Sequence, residues 1–292
     1  MRSLHDAGGA PPAMRCGASV FQFGARTFVA GIINMSPDSF AGDGLDADPG
    51  AAAAVGEAWR EAGADILDVG GRSSRPGAPP VPVEEELRRA IPAVRRLAAL
   101  GLPVSIDTWS AAVAAAAIDA GAAMINDITA LRGDPDMAPL AARAGVPVIL
   151  MDCDDRRGAA DAVAETARFL RDRIAAAQSY GIDADRLIVD PGYGFGLALH
   201  QNMEVLRRLG ELRVLGRPIL IGTSRKGSIG KVLNLPVHDR LEGTAATVAV
   251  AIAHGADVVR VHDVRAMVRV ARMTDAIIRG IPAAPPPGTA LP

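Results

Sequence analysis

Eight short apolar segments recur along the chain, and Ala- and Leu-rich stretches with charges at helical spacing lie between them. The segments occupy residues 28–34, 64–71, 103–108, 123–128, 146–152, 186–192, 218–224 and 256–263. Because their apolar residues run nearly without interruption, they are typical of parallel strands buried on both faces. Eight strand–helix units in order predict an α/β fold, a (β/α)8 TIM barrel with right-handed crossovers. A doubly wound open sheet is the competing architecture, disfavoured because no GxGxxG motif follows the first segment.

Charge and composition exclude several classes of partner. The 292 residues carry a net charge of −2 with no basic stripe, so no nucleic-acid partner is expected. Neither a membrane span nor the apolar core of a signal peptide is found, so no membrane association is expected. Cys16 and Cys153 lack a CxxC spacing, which suits reduced thiols in a cytoplasmic protein. We expect a flexible N-terminal segment at 1–20, one barrel domain at 21–281 and a Pro-rich tail at 282–292.

Polar residues stand at the ends of almost all the predicted strands. They are Asn34, Asp68, Asp107, Asn126, Asp190, Ser224, Lys226, Arg260 and His262. Because the carboxyl ends of barrel strands meet at one mouth, these side chains are expected to converge. Burying so many polar groups is costly unless a polar ligand satisfies them. The carboxylates and the carboxamide suit a flat heterocycle with adjacent N–H donors, whereas the cationic groups, with Arg75, suit phosphates and carboxylates.

Some acidic and basic residues have competing interpretations. A structural role is an equal alternative for Asp68, whose carboxylate would then hold the second loop by hydrogen bonds to backbone groups. Lys226 taken alone could be the Schiff-base lysine of an aldolase-like barrel, but the residues that flank it argue against that role. Asp127, beside Asn126, is expected to point the other way along its strand. The acidic run at 152–155 lacks the glycine and spacing of an EF-hand, which favours an acidic loop.

Seven short motifs resemble those of dihydropteroate synthases in content, order and spacing. They are NMSPDSFAGDG (34–44), GADILDVGGRSSRPGA (63–78), SIDT (105–108), INDI (125–128), DPGYGFG (190–196), GTSRKGSIG (222–230) and RVHDV (260–264). The resemblance runs from about residue 28 to about residue 280. It implies condensation of (7,8-dihydropterin-6-yl)methyl diphosphate with p-aminobenzoate, giving 7,8-dihydropteroate and pyrophosphate in folate biosynthesis. It also implies Mg2+ as cofactor, a homodimer and a sulfonamide target.

The resemblance further implies roles for residues within the motifs. The diphosphate is expected to be bound by Asn34, which would also hold Mg2+, and by Arg260 and His262. The pterin is expected to be clamped by Asp107, Asn126, Asp190 and Lys226. The p-aminobenzoate site is expected to be bordered by Phe40, Ser74, Arg75, Pro76 and Ser224. The implied catalytic groups are Asp107, Asp190, Lys226 and Arg260.

Three positions depart from the family pattern. Arg72 stands where the second-loop motif has glutamate, Asp152 where the fifth strand ends in histidine, and Leu197 where the sixth loop has lysine. These departures bear on the second substrate and the loops rather than on the pterin pocket. They leave open a divergent paralogue that is non-catalytic or uses another aryl amine. A pterin-binding methyltransferase barrel is the other alternative, disfavoured because it has no need for cationic residues around a diphosphate.

Overall fold

The computed structural model describes residues 9–37, 42, 44–73 and 77–281. The strands within these ranges are β1 (Met14–Cys16), β2 (Ser19–Phe21), β3 (Phe28–Asn34), β4 (Ile66–Gly70), β5 (Val104–Asp107), β6 (Met124–Asp127), β7 (Val148–Met151), β8 (Leu187–Asp190), β9 (Leu220–Ile221) and β10 (Val258–Val261). The α-helices are α1 (Pro49–Ala62), α2 (Val83–Ala98), α3 (Ala111–Asp119), α4 (Met137–Ala144), α5 (Ala162–Ser179), α6 (Leu199–Arg207), α7 (Gly227–Leu233), α8 (Leu241–Ala253) and α9 (Val264–Arg279).

The strands from β3 to β10 form a single closed sheet. Their spatial order is β8-β7-β6-β5-β4-β3-β10-β9, and every neighbouring pair is parallel. The two edges meet because Val189 of β8 forms a parallel bridge with Ile219, which directly precedes β9. The Val189 N–H also donates to the Pro218 carbonyl oxygen at 2.9 Å. The predicted (β/α)8 barrel is therefore confirmed.

Helices cover the outer face of the barrel, which is why its strands are buried along nearly their whole length. In α2, the buried side chains Ala90, Val94 and Leu97 recur at the spacing of one helix face. Glycine ends two of the helices in the left-handed region, Gly63 after α1 with φ of 95° and Gly145 after α4 with φ of 64°. Only glycine adopts this conformation without strain, so each helix stops there and the chain turns into the next strand.

A β-hairpin closes the N-terminal end of the barrel. Strands β1 and β2 pair in antiparallel register, with Met14 opposite Phe21. Met14, Cys16 and Phe21 are buried in one cluster with Phe28, at the start of β3, and with residues near the amino ends of other barrel strands. The prediction of a flexible segment at 1–20 is therefore wrong for its hairpin portion. Three-residue strands are too short for alternation of apolar and polar residues to stand out in the sequence.

Residues 1–8 of the predicted N-terminal segment and the predicted Pro-rich tail at 282–292 lie outside the described residues. Among the helices of the described ranges, none is both long enough and apolar enough to cross a bilayer.

The hairpin leads to a prediction about stability. Phe21→Ala should lower the free energy of unfolding by about 3–5 kcal/mol, because the buried ring leaves a cavity. The Phe21 ring packs against Phe28 with 4.7 Å between ring centroids. Urea unfolding followed by circular dichroism measures the effect. Val20→Ala is the matched control, since Val20 lies on the other face of β2 and is 47% exposed. Equal unfolding midpoints for the two variants would contradict a role of the hairpin in the core.

Candidate active site

The carboxyl ends of the barrel strands surround a cavity of about 380 Å3. Six predicted site residues line it, namely Asn34, Asp107, Ser224, Lys226, Arg260 and His262. Asn126 and Asp190 are buried at the ends of β6 and β8 but do not form part of this lining. The predicted p-aminobenzoate residues Phe40, Ser74, Arg75 and Pro76 lie outside the described residues.

Arg260 joins two buried carboxylates across the mouth of the barrel. Its Nε donates to Asp68 Oδ2 at 2.6 Å, and its Nη2 donates to Asp107 Oδ2 at 2.7 Å. The Asn126 amide also contacts Asp68, with Nδ2 3.3 Å from Oδ2. Burial by itself would lower the pKa of Arg260, but the carboxylates of Asp68 and Asp107 raise it above its usual value. The guanidinium therefore stays charged.

The same surroundings perturb the acidic groups. Burial raises the pKa of Asp107, and the charge of Arg260 opposes that shift. Burial also raises the pKa of Asp190 to about 6, although the Gly192 N–H, which donates to Asp190 Oδ1 at 2.8 Å, and the charge of Lys226 favour the ionised form. A cationic ligand favours the ionised form of a carboxylate whose pKa is raised by burial, because the positive charge offsets the desolvation cost.

Lys226 brings an ammonium group into the cavity. It stands between the turn after β9 and the first residue of α7. Its Nζ lies 3.9 Å from the centroid of the Phe195 ring, and burial lowers the pKa of Lys226 to about 8. Gly194, with φ of 83°, packs so closely against the lysine stem that an added Cβ would lie 2.8 Å from Lys226 Cδ. Glycine at this position therefore leaves room for the lysine to reach the cavity.

Ser224 and His262 tie the ends of β9 and β10 together. The Ser224 hydroxyl accepts the His262 backbone N–H at 3.1 Å and lies 3.0 Å from the ring Nδ1. The tautomer of the His262 ring decides whether the hydroxyl donates or accepts in its contact with Nδ1.

The first family departure, Arg72, forms part of the cavity wall. Its guanidinium lies 3.0 Å from the centroid of the Trp109 ring, and its Nε is 3.2 Å from Glu86 Oε2. Glu86 is fully buried and accepts a hydrogen bond from Thr108 Oγ1 at 2.6 Å. The basic residue is thus compensated by an acid inside the protein, so the substitution is accommodated by the fold.

The other two departures lie away from the cavity lining. Asp152 accepts hydrogen bonds from Arg156 Nε at 3.1 Å and from Thr166 Oγ1 at 2.8 Å, which anchors the loop to α5. Leu197 packs against the apolar layer between barrel and helices. Within the described ranges, no group of three or more His, Cys, Asp or Glu side chains is arranged to hold a metal ion. The contacts with Arg156 and Thr166 give Asp152 a structural role in this loop.

The structure defines the contacts of Asp127, Asp68 and Arg240, none of which was assigned a ligand from the sequence. Asp127 accepts hydrogen bonds from backbone N–H groups of the loop that follows it, so it faces away from the site as predicted. Asp68, which the sequence left undecided, is part of the charge network with Arg260. Arg240, just before α8, lines the cavity and was not predicted. No motif or periodicity marks it, because its contacts are with backbone carbonyls.

The raised pKa of Asp190 leads to a prediction with a defined sign. Its folded-state pKa of about 6 exceeds the ordinary value of 3.8, so ionisation costs stability as pH rises between these values. The free energy of unfolding of Asp190→Asn should therefore exceed that of the wild type by roughly 1–3 kcal/mol at neutral pH, and by little at about pH 4. Urea unfolding at both pH values measures the difference. Asp119→Asn, at the exposed end of α3, should show no such change. A pH-independent difference for Asp190→Asn would contradict the shift.

Comparison with known proteins adds an independent finding. The family model described as pterin binding enzyme matches residues 30–262. A dihydropteroate synthase of Clostridium beijerinckii is 44% identical over 268 residues, covering 91% of this chain and 100% of that relative. The Xanthomonas albilineans dihydropteroate synthase structure with 4-aminobenzoic acid superposes with a TM-score of 0.86 at 43% identity, covering 93% of this chain and 100% of that one. The same enzyme in complex with 7,8-dihydropteroate gives a TM-score of 0.84 at 42% identity, with the same coverage.

Proposed function

The chain belongs to the dihydropteroate synthase family, and on that premise we propose that it condenses (7,8-dihydropterin-6-yl)methyl diphosphate with p-aminobenzoate. The observation that carries the proposal is the convergence of Asp107, Lys226 and Arg260 on one cavity. These groups offer a carboxylate and two cations within a partly closed space. That combination suits a substrate with a donor-rich ring and an anionic leaving group.

The reaction exchanges one bond at the pterin methylene carbon for another. The carbon–oxygen bond breaks, and diphosphate departs with the electron pair. The amine nitrogen of p-aminobenzoate forms the new bond to that carbon and then releases a proton to water. Arg260 and His262 are suited to meet the charge that develops on the diphosphate. Asp107 and Asp190 are suited to stabilise the cationic methylene.

In this proposal, the rate enhancement beyond charge stabilisation comes from positioning of the substrates and not from base catalysis. The aryl amine is already unprotonated near neutral pH, so the site has no need of a strong general base. Asp107, Asn126, Asp190 and Lys226 hold the pterin ring, and Ser224 borders the p-aminobenzoate. Confining the two reactants in one cavity converts their encounter into an intramolecular step.

Mg2+ fits the donor set at the carboxyl end of β3, where Asn34 lines the cavity. It is usually bound through one or two protein oxygens together with substrate phosphates and water. Asn34 offers one such oxygen at the cavity wall, with Ser36 beside it. Asn34 would hold the ion against the diphosphate, and the bound ion would offset part of the leaving group's charge. The remaining charge falls to Arg260 and His262.

The direct test is pyrophosphate release from the pterin diphosphate with Mg2+, with and without p-aminobenzoate. Release that depends on p-aminobenzoate and yields 7,8-dihydropteroate is the expected result. Release without that dependence would indicate another acceptor, and the charge at Arg72 would be the first place to look for its cause. No release from the folded protein would favour a pterin-binding relative that lacks the reaction.

We also propose a homodimer formed through α8 and α9. Val250, Met273 and Ile277 are exposed on these adjacent helices, and Met273 and Ile277 lie one turn apart on a single face. Exposed apolar side chains on two helices that pack together suit a self-complementary contact. Ile277→Glu should halve the mass seen by analytical ultracentrifugation, whereas Arg168→Glu on the exposed face of α5 should not. Equal masses for wild type and Ile277→Glu would remove this face as the interface.

The cytoplasm is the proposed location. Both Cys16 and Cys153 are free thiols, which suits a reducing compartment. Cell fractionation with an antibody to the native protein is the test, and recovery of the protein outside the cytoplasmic fraction would contradict the proposal.

A further inference from the structure

Arg240 lines the cavity, yet its guanidinium is engaged by the protein backbone. Its Nη1 donates to the Arg225 carbonyl oxygen at 2.9 Å and lies 3.3 Å from the Lys226 carbonyl oxygen. Its Nη2 and Nε donate to the Leu235 carbonyl oxygen at 3.0 and 3.2 Å. One side chain therefore connects the turn before α7 with the loop after it. A planar guanidinium suits this task because its donors have fixed directions.

The turn before α7 has an unfavourable backbone conformation. It is closed by the Lys226 N–H, which donates to the Thr223 carbonyl oxygen at 3.2 Å. Within it, Arg225 has φ of 56°, in the left-handed region that residues other than glycine rarely adopt. Such a conformation persists only when surrounding contacts enforce it. The identity of those contacts therefore decides whether the turn keeps its shape.

Other contacts reach Arg225 besides that of Arg240. The Arg225 N–H donates to Thr244 Oγ1 at 3.1 Å, and its guanidinium pairs with Asp263 at 3.0 and 2.6 Å. These bonds hold the Arg225 amide and side chain, whereas Arg240 holds the carbonyl group. Arg240 also reaches the next carbonyl, that of Lys226, so it contacts the peptide units on both sides of the Lys226 Cα.

This backbone conformation sets the direction of the two neighbouring functional side chains. Ser224 and Lys226 both line the cavity, while the Arg225 side chain between them turns toward Asp263. A relaxed conformation at Arg225 would rotate the following peptide and turn Lys226 out of the cavity. We propose that Arg240 is a positioning residue for the reaction, holding the turn so that Ser224 and Lys226 face the substrates together. The inference rests on the proposed function for its kinetic consequences.

Gly230 offers a way to test Arg240 without removing it. A Cβ added at Gly230 in α7 would overlap the Arg240 guanidinium. Since that group is the end of a flexible side chain, it would move aside and leave the carbonyls of the turn. Gly230→Ala also favours the helix, because alanine has a higher helix propensity than glycine. It should therefore displace Arg240 at little cost to folding.

The experiment compares four variants with the wild type. Arg240→Ala and Gly230→Ala should each lower kcat/KM for the pterin diphosphate by about 100-fold, the size of effect expected when a reacting group is misplaced. Arg240→Lys should recover part of the loss, because an ammonium can reach one of the carbonyls. Arg173→Ala is the matched control. Arg173 Nε donates to the Ala130 carbonyl oxygen at 2.8 Å, and Ala130 also has a positive φ of 52°, but this loop does not line the cavity.

A second readout separates the inference from the proposed function. Amide hydrogen exchange over residues 222–230, followed by mass spectrometry, reports on the turn whether or not the enzyme turns over. Faster exchange there in Arg240→Ala and Gly230→Ala, with unchanged melting temperatures, supports the inference even if the wild type proves inactive. Unchanged exchange, or a kinetic loss in Arg173→Ala equal to that in Arg240→Ala, would overturn it.

Discussion

Lys226→Met is expected to abolish turnover while leaving the barrel folded. Methionine keeps most of the length and volume of the lysine stem but removes the ammonium group that lies over the Phe195 ring. Burial already lowers the pKa of Lys226 to about 8, so the folded protein bears a cost for keeping this charge. Replacing it should therefore leave stability unchanged or raise it.

The kinetic effect should be large because the ammonium contacts the substrate directly in the proposed mechanism. We expect kcat/KM to fall by at least about 1000-fold, the upper range for loss of one preorganised donor. Steady-state pyrophosphate release measures this, with circular dichroism as the check on folding. Lys231→Met, on the exposed side of α7, should keep the activity of the wild type. A Lys226→Met variant within tenfold of the wild type would remove Lys226 from the mechanism.

Arg260→Met should damage both stability and activity. It leaves Asp68 and Asp107 facing each other, 1% and 5% exposed, with no guanidinium between them. Removing one partner from a buried ion pair costs about 3–5 kcal/mol, because the remaining charge is uncompensated. Loss of the proposed diphosphate contact should also lower kcat/KM by about 1000-fold.

The stability loss in Arg260→Met should depend on pH with a definite sign. The pKa of Asp107 is raised by burial even with Arg260 in place, and it should rise further without that charge. A folded-state pKa above the unfolded value means that stability falls as pH rises, and returns as the group takes up a proton. The difference from wild type in urea unfolding should therefore be larger at about pH 8 than at about pH 5.

Arg213→Met is the matched control for Arg260→Met. Arg213 Nη2 pairs with Asp257 Oδ1 at 3.0 Å, and Asp257 is fully buried, but the pair does not line the cavity. This control should lose stability and keep the kcat of the folded fraction. The combined Asp68→Asn and Arg260→Met variant should regain stability but not activity. If Arg260→Met keeps both stability and activity, the charge network has no role in the site.

The barrel could be predicted because its strands are short, nearly continuous apolar runs, whereas the stretches between them carry charges at helical spacing. The polar residues at the strand ends could also be predicted to converge, since parallel strands end at the same edge, and six of them line the cavity. The hairpin around Met14 was missed because its strands are too short to show a pattern. The roles of Asp68 and Arg240 depend on which side chain or carbonyl lies across the barrel, and that information exists only once the chain is folded.

The hairpin at the N-terminal end also determines how the protein can be attached to a solid support. Met14, Cys16 and Phe21 fill the amino ends of the strands, whereas the cavity opens at the carboxyl ends. A linker attached through the exposed side chain of Arg15 in this hairpin would therefore leave the molecule on the side opposite the cavity. Molecules tethered in this way to a sensor chip would present their openings to the flowing solution, and ligand capture would not be blocked by the surface.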